Sequence, residues 1–236
     1  MVRAEIPSEG RRYVVRDGVW LAVCDFGGTG QAVFLLHGLA GHAGEWSETA
    51  SRLTAGARVL ALDARGHGHS ERFPVDVSHR ERVDDVVFVV EALGVGPVVL
   101  VGQSVGGLTA LSVAAHHPSL ARALVLVEAS PSDGSGGGSL PAEVAAGLRR
   151  WPVPFESRDS ATSFFRTRFG SETAAEAWAA GLEQTADGWR PRFDIDVIER
   201  TLRAELSVPT WAEWEQVRCP TLVVRGERGH ADARDG

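Results

Sequence analysis

Five short runs of apolar residues, each closing on a glycine or a polar residue, set the rhythm of this chain. They are "AVFLLHG" at 32–38, "ARVLALDARG" at 57–66, "GPVVLVGQS" at 96–104, "RALVLVEAS" at 122–130 and "CPTLVVRGE" at 219–227. Runs without polar alternation are the pattern of parallel strands buried on both faces. Helical spacing lies between them at about 43–56, 80–93 and 105–117. Upstream, "RRYVVRDGVWLAVCDFG" at 11–27 predicts a hairpin, with β-branched and aromatic flanks hinged at Asp17-Gly18. Strand and helix in alternation predict an α/β fold with a mostly parallel, doubly wound sheet, whose working groups sit at the carboxyl ends of the strands.

The stretch from 131 to 215 breaks the rhythm. It opens on the flexible "PSDGSGGGSLP", runs through Ala-, Arg- and Trp-rich segments such as "SETAAEAWAAGLEQ", and gives way to a strand pattern again at Cys219. The expected organisation is a core over 1–130, a helical lid insertion over 131–215 lying above the strand ends, and a seventh core strand with a tail over 216–236.

Composition narrows the chemistry. A chain of 236 residues can bury one sizeable core. Its net charge of −7, without long like-charged runs, speaks against a nucleic-acid partner. All 24 basic residues are arginine, which removes Schiff-base and phosphate-loop lysine chemistry. Cys24 and Cys219 lie far apart in apolar surroundings, as expected of buried reduced thiols in a cytoplasmic protein. Neither a secretory h-region nor an apolar stretch long enough to span a bilayer is present, so no membrane partner is expected.

One hydroxyl interrupts the third run, in "GQSVGG" at 102–107. A serine attacks only when a base takes its proton and nearby donors receive the developing oxyanion. Strand, Gly-x-Ser-x-Gly and helix in succession would supply the geometry. Gly102 and Gly106 allow a turn so tight that Ser104 projects above the sheet.

On that motif, with "HGLAG" at 37–41, "DARGHGHS" at 63–70 and the closing "PTLVVRGE", the chain resembles the α/β-hydrolase family over nearly its whole length. The resemblance implies Ser104 as nucleophile and the backbone amides of Leu39 and Val105 as oxyanion hole, with His37, Gly38 and Trp46 shaping the pocket. It implies no cofactor and no metal. His67 and His69 have a metal-like spacing, but the further Asp-His ligands of a dinuclear site do not follow, and "DARGHGHS" reads as a polar turn bordering the pocket.

The family's triad runs in the order serine, acid, histidine. Gly229 stands where the acid usually follows the seventh strand, so the expected acid is Glu128 at the end of the sixth, with Asp232 and then Glu227 as fallbacks. A carboxylate ending so apolar a strand is costly unless paired, and an imidazole would pair it. The histidine itself is expected after an eighth strand, for which the sequence has no counterpart. His230 is the late histidine, placed where the acid loop would be. The expectation is a shortened form, lacking the last strand and helix, whose seventh-strand edge lies open or is covered by a second copy.

Trp151, Phe155, Phe164, Phe165, Trp178, Trp189, Trp211 and Trp214 imply an apolar roof over the cavity. A serine at the elbow suits acyl transfer rather than attack on alkyl halides or epoxides. The expected activity is hydrolysis of carboxylic esters or lactones with a small apolar acyl substrate. The alternatives are a non-catalytic ligand-binding relative, a cofactor-free haloperoxidase or perhydrolase, and a carbon–carbon bond hydrolase.

Overall fold

A computed structural model of the chain describes residues 10–226. Glu227, His230 and Asp232 therefore lie outside the described residues. The chain opens with β1 (Arg11–Arg16) and β2 (Val19–Gly27), an antiparallel hairpin turning at Asp17 (φ 49°) and Gly18 (φ 82°). Two successive left-handed residues match the twist of the flanking strands, which is why Asp-Gly serves here. Then follow β3 (Gln31–Leu36), a 3₁₀ turn over Ala43–Trp46, α1 (Ser47–Leu53), β4 (Ala57–Leu62), α2 (His79–Leu93), β5 (Val98–Gln103), α3 (Val105–His116) and β6 (Ala121–Val127).

The next segment carries α4 (Leu140–Arg149), α5 (Arg158–Phe169), α6 (Glu172–Ala180), β7 (Leu182–Thr185), β8 (Gly188–Pro191), α7 (Ile195–Leu206) and α8 (Trp211–Gln216), and β9 (Thr221–Val224) ends the described chain. Seven strands form one sheet in the order β1-β2-β4-β3-β5-β6-β9, antiparallel at β1-β2-β4 and parallel from β4 to β9.

The strands carry apolar side chains on both faces because both faces are covered. Phe34 and Leu36 of β3 pack with Leu60, Leu62, Leu100, Leu124 and Leu126 against α2 and α3, while Val33 and Leu35 face the opposite way with Val59, Ala61 and Ala50 of α1. A third cluster, built on Trp151, Phe155, Phe165 and Ile198, holds the 131–215 segment together.

That segment is not purely helical. β7 and β8 form a separate two-stranded antiparallel hairpin turned at Ala186-Asp187, with Gly188 opening β8. Phe155 exchanges backbone hydrogen bonds with Trp189 of that hairpin at 2.9 and 2.8 Å. Two of the eight aromatic residues expected in the roof lie elsewhere. Trp214 packs on the core cluster of the sheet and Trp211 is exposed, because α8 docks on α3 rather than against the cluster around Trp151 and Phe165. The two cysteines form no disulfide with each other and are only partly buried, against the expectation of buried thiols.

Candidate active site

Going outward from β3 in the sheet, the chain first places β4 on one side and then β5 on the other. Ligands bind where such a sheet reverses direction, in the crevice at the carboxyl ends of the strands. Here the loop after β3 carries His37, Gly38 and Leu39, and the turn after β5 carries Ser104. Both open on one cavity of about 410 Å³, lined also by Glu45, Trp46, Thr49, Gln103, Val127 and Trp178.

Ser104 has φ 50° and ψ −121°, a strained backbone for a residue with a side chain, and it stands immediately before the first turn of α3. The strain is held by its surroundings. Its amide donates to the Val127 carbonyl at 2.9 Å and its carbonyl accepts from Gly107 at 2.8 Å. A side chain at Gly102 would meet the Gly106 carbonyl, one at Gly106 would meet the carbonyls of Leu36 and His37, and one at Gly107 would meet Ala129. None of these three glycines has positive φ. They are glycine because β3, β5 and α3 approach too closely for a Cβ, and the left-handed residue is the serine itself.

Among the described residues the Ser104 hydroxyl has no hydrogen-bond partner. Nor do the Leu39 and Val105 amides donate to any protein acceptor among them. Val105 opens α3, where the first amides have no intrahelical acceptor. Leu39 precedes Ala40, at φ 59°, in the loop that turns away from β3.

His37 is buried, with both ring nitrogens occupied. The Ala64 amide donates to Nε2 at 3.0 Å, so the proton sits on Nδ1, which donates to the Gly38 carbonyl at 2.7 Å. Burial drives its pKa down to about 4 against the opposing pull of Asp63. A neutral imidazole with no free nitrogen is a structural strut and not a proton acceptor for Ser104. It is also the only histidine bordering this cavity among the described residues. Gly38 is left bare by the Gln103 side chain, which fills the space a Cβ would need.

The "DARGHGHS" turn is tied off from within. Asp63 accepts from the amides of Ala43 at 2.6 Å and His69 at 2.9 Å. Burial opposes its ionisation, but hydrogen bonds from the His69 side chain and these amides, with His37 nearby, outweigh it and hold the carboxyl at about 2. His67 is buried 5.1 Å from the His37 ring, with Nδ1 on the Arg65 carbonyl at 3.0 Å, and burial keeps it neutral.

Glu128 follows β6, also at positive φ (49°). It is exposed, and its Oε1 accepts from the Gly226 amide. The expectation that burial forces an imidazole onto this carboxylate is therefore corrected. Among the described residues β6 is flanked on its outer side by the short, exposed strand β9, and the carboxyl end of β6 is open to solvent there. Glu128 does not line the Ser104 cavity.

Two residues of this site carried no signal of their own in the pattern. His42 accepts from the Gly44 amide at 3.1 Å and donates from Nε2 to the Ala177 carbonyl of α6 at 2.9 Å, fastening the loop after β3 to α6. Glu45 borders the cavity, and burial pushes its carboxyl up to about 7, with Asp63 adding to the effect against a hydrogen bond from the His42 backbone. Its Oε1 is buried without a hydrogen-bond partner.

A family model of the alpha/beta hydrolase fold matches residues 31–234. The chain is 37% identical over 202 residues to the sn-1-specific diacylglycerol lipase ABHD11 of Mus musculus, a match covering 83% of this chain and 64% of that protein. It is 27% identical to the 2-(acetamidomethylene)succinate hydrolase of Mesorhizobium japonicum, over 85% of this chain and 72% of that one. The crystal structure of E-2-(acetamidomethylene)succinate hydrolase superposes with a TM-score of 0.82 at 26% identity, covering 92% of this chain and 80% of the other. This chain thus spans just under two thirds of the mouse relative's length. Among the described residues no helix is long and apolar enough to cross a membrane.

Proposed function

This chain belongs to the α/β hydrolase fold family, and on that premise we propose that it is a serine hydrolase acting on carboxylic esters or lactones through an acyl-enzyme. The observation that carries the reading is Ser104. A strained residue holds an unpartnered hydroxyl over a cavity of about 410 Å³, beside two amides with no protein acceptor. In this reading Ser104 Oγ attacks the ester carbonyl carbon, its proton passes to a base, and the Leu39 and Val105 amides receive the oxyanion. Collapse of the tetrahedral intermediate expels the alcohol, and water then releases the acid by the same route. Glu128 is the proposed acid that orients the base.

Leu39, Trp46, Val127 and Trp178 give the cavity an apolar lining, which supports a small acyl group of largely hydrocarbon character. The hydrolase names of the relatives support the reaction class. The test is labelling by a fluorophosphonate probe together with turnover of short-chain aryl esters. Both are expected in the wild type and both are expected to vanish in Ser104→Ala. Labelling that persists in that variant overturns the reading.

A further inference from the structure

The Ser104 cavity is not uniformly apolar, and its one acidic wall residue has no task in the mechanism above. Glu45 lies in the 3₁₀ turn that follows the β3 loop, next to Trp46, and both side chains border the cavity. Its carboxyl folds over Gly41, where a Cβ would come within 2.8 Å of Oε2 and 3.0 Å of Oε1. Gly41 therefore leaves room for this side chain to stay inside instead of turning out to solvent. Oε1 is shut off from solvent with no hydrogen-bond partner among the described residues.

The charges around it are one-sided. Asp63, buried and ionised, acts on Glu45 through space. His37 and His42, the two imidazoles nearest the loop, are both held neutral by burial. No arginine is among the residues lining the cavity. A carboxylate that borders the cavity, with no arginine among the lining residues to offset it, favours a ligand that brings a donor or a cation. An acyl chain ending in a carboxylate finds only neutral donors here, such as the unpartnered indole N–H of Trp46, and no cation to offset its charge.

We propose that Glu45 sets the charge preference of the Ser104 cavity. Acyl substrates carrying an ammonium or another N–H donor are favoured over hydrocarbon chains of similar length, and chains ending in a carboxylate are rejected. The proposal rests on the reading of this cavity as the substrate site, and it replaces a purely apolar substrate with an amphipathic one. Glu45 here selects the substrate, and it takes no part in bond making.

The test uses 4-methylumbelliferyl esters of 6-aminohexanoate, heptanoate and adipate (as the monoester) at pH 8. In the wild type, kcat/KM for the amino ester is expected to exceed that for the adipate ester at least tenfold and that for heptanoate severalfold, mainly through KM. In Glu45→Gln, which keeps the shape and the ability to accept from the backbone, the amino-to-adipate ratio is expected to fall at least fivefold. A wild-type ratio within twofold, or one that survives Glu45→Gln, overturns the proposal.

Binding separates this from the assignment of Ser104. The matched amides 6-aminohexanamide, heptanamide and adipic monoamide are titrated against the wild-type protein by quenching of Trp46 and Trp178 fluorescence. The same order of affinity without turnover of any ester would sink the nucleophile and support Glu45. Equal affinities, or no binding at millimolar concentration, would overturn Glu45 whatever the esters do.

Discussion

Ser104 and Glu128 stand at the carboxyl ends of neighbouring strands with nearly the same positive φ, 50° and 49°, and share little else. Ser104 ends a strand with neighbours on both sides and a helix launched directly behind it. Its position is fixed by backbones that approach too closely for a side chain to intervene. Glu128 ends the penultimate strand, beside a four-residue edge strand whose residues are all exposed. Its position is fixed by its own amide donating to the Val224 carbonyl and its carboxylate accepting from the Gly226 amide. The same positive φ is thus over-determined in the centre of the sheet and held by two contacts at the end of β6.

The strongest way to break this contrast is Gly106→Ala. The new Cβ would run into the carbonyl oxygens of Leu36 and His37, which cannot rotate away as a side chain could. The expected cost is about 3 kcal/mol, the upper end of overpacking, together with loss of fluorophosphonate labelling as Ser104 is displaced from the Leu39 amide. Chemical denaturation and probe labelling of the same sample check both halves. Wild-type stability in this variant would show that the packing around Ser104 is looser than its geometry implies.

Acid sharpens the central side of the comparison. Unfolded, His37 titrates near 6.5, and folded near 4, so between these values the unfolded chain binds more protons. Stability is then fully present above pH 6.5 and is lost as pH falls toward 4, by roughly 3 kcal/mol at most. His67, also held neutral by burial, adds in the same direction. Urea titrations at pH 7 and pH 4.5 should show a smaller loss in His37→Gln than in the wild type. Equal losses would show that His37 titrates normally in the folded chain.

Glu128→Gln probes the edge side. An exposed carboxylate contributes little to stability, so the midpoint of unfolding should move by less than about 0.5 kcal/mol. If Glu128 orients the base, kcat should fall about a hundredfold, equivalent to roughly 2.7 kcal/mol, since the amide cannot stabilise an imidazolium. Unchanged kcat in this variant would remove Glu128 from the triad.

The same contrast explains what could be read from the chain alone. Strands buried on both faces leave unbroken apolar runs, so all five parallel strands and the turn at Ser104 were legible. The glycines of that turn were legible as necessary for its tightness. Gly102 and Gly106 supply the space, and the positive φ falls on the serine. The β7–β8 hairpin was hidden because Ala- and Glu-rich sequence continues to its start, leaving Asp187-Gly188 as its one signal. Glu45 and His42 were missed because their roles come from what folds over them. A glutamate ahead of a tryptophan in a helical pattern reads as solvent-facing until Gly41 is seen to make room for it inside. The burial expected at Glu128 was misjudged for the converse reason. An apolar strand does not by itself bury the residue that follows its end.

The smallest expected effect lies at β9 itself. Leu222, Val223 and Val224 are 58%, 42% and 43% exposed, and among the described residues no strand pairs with the outer edge of β9. A free edge with apolar side chains is a template for pairing with another chain, and a lysine on such an edge opposes it by charge. Leu222→Lys should therefore change the unfolding free energy by no more than about 0.5 kcal/mol, because the side chain it replaces makes little buried contact. Light scattering across a concentration series should nevertheless show less self-association than in the wild type. The matching substitution in the centre, Leu100→Lys at a fully buried position of β5, is expected to prevent folding outright. Equal tolerance of lysine at 100 and 222 would mean that the centre and edge of this sheet do not differ in the way the two strand ends imply.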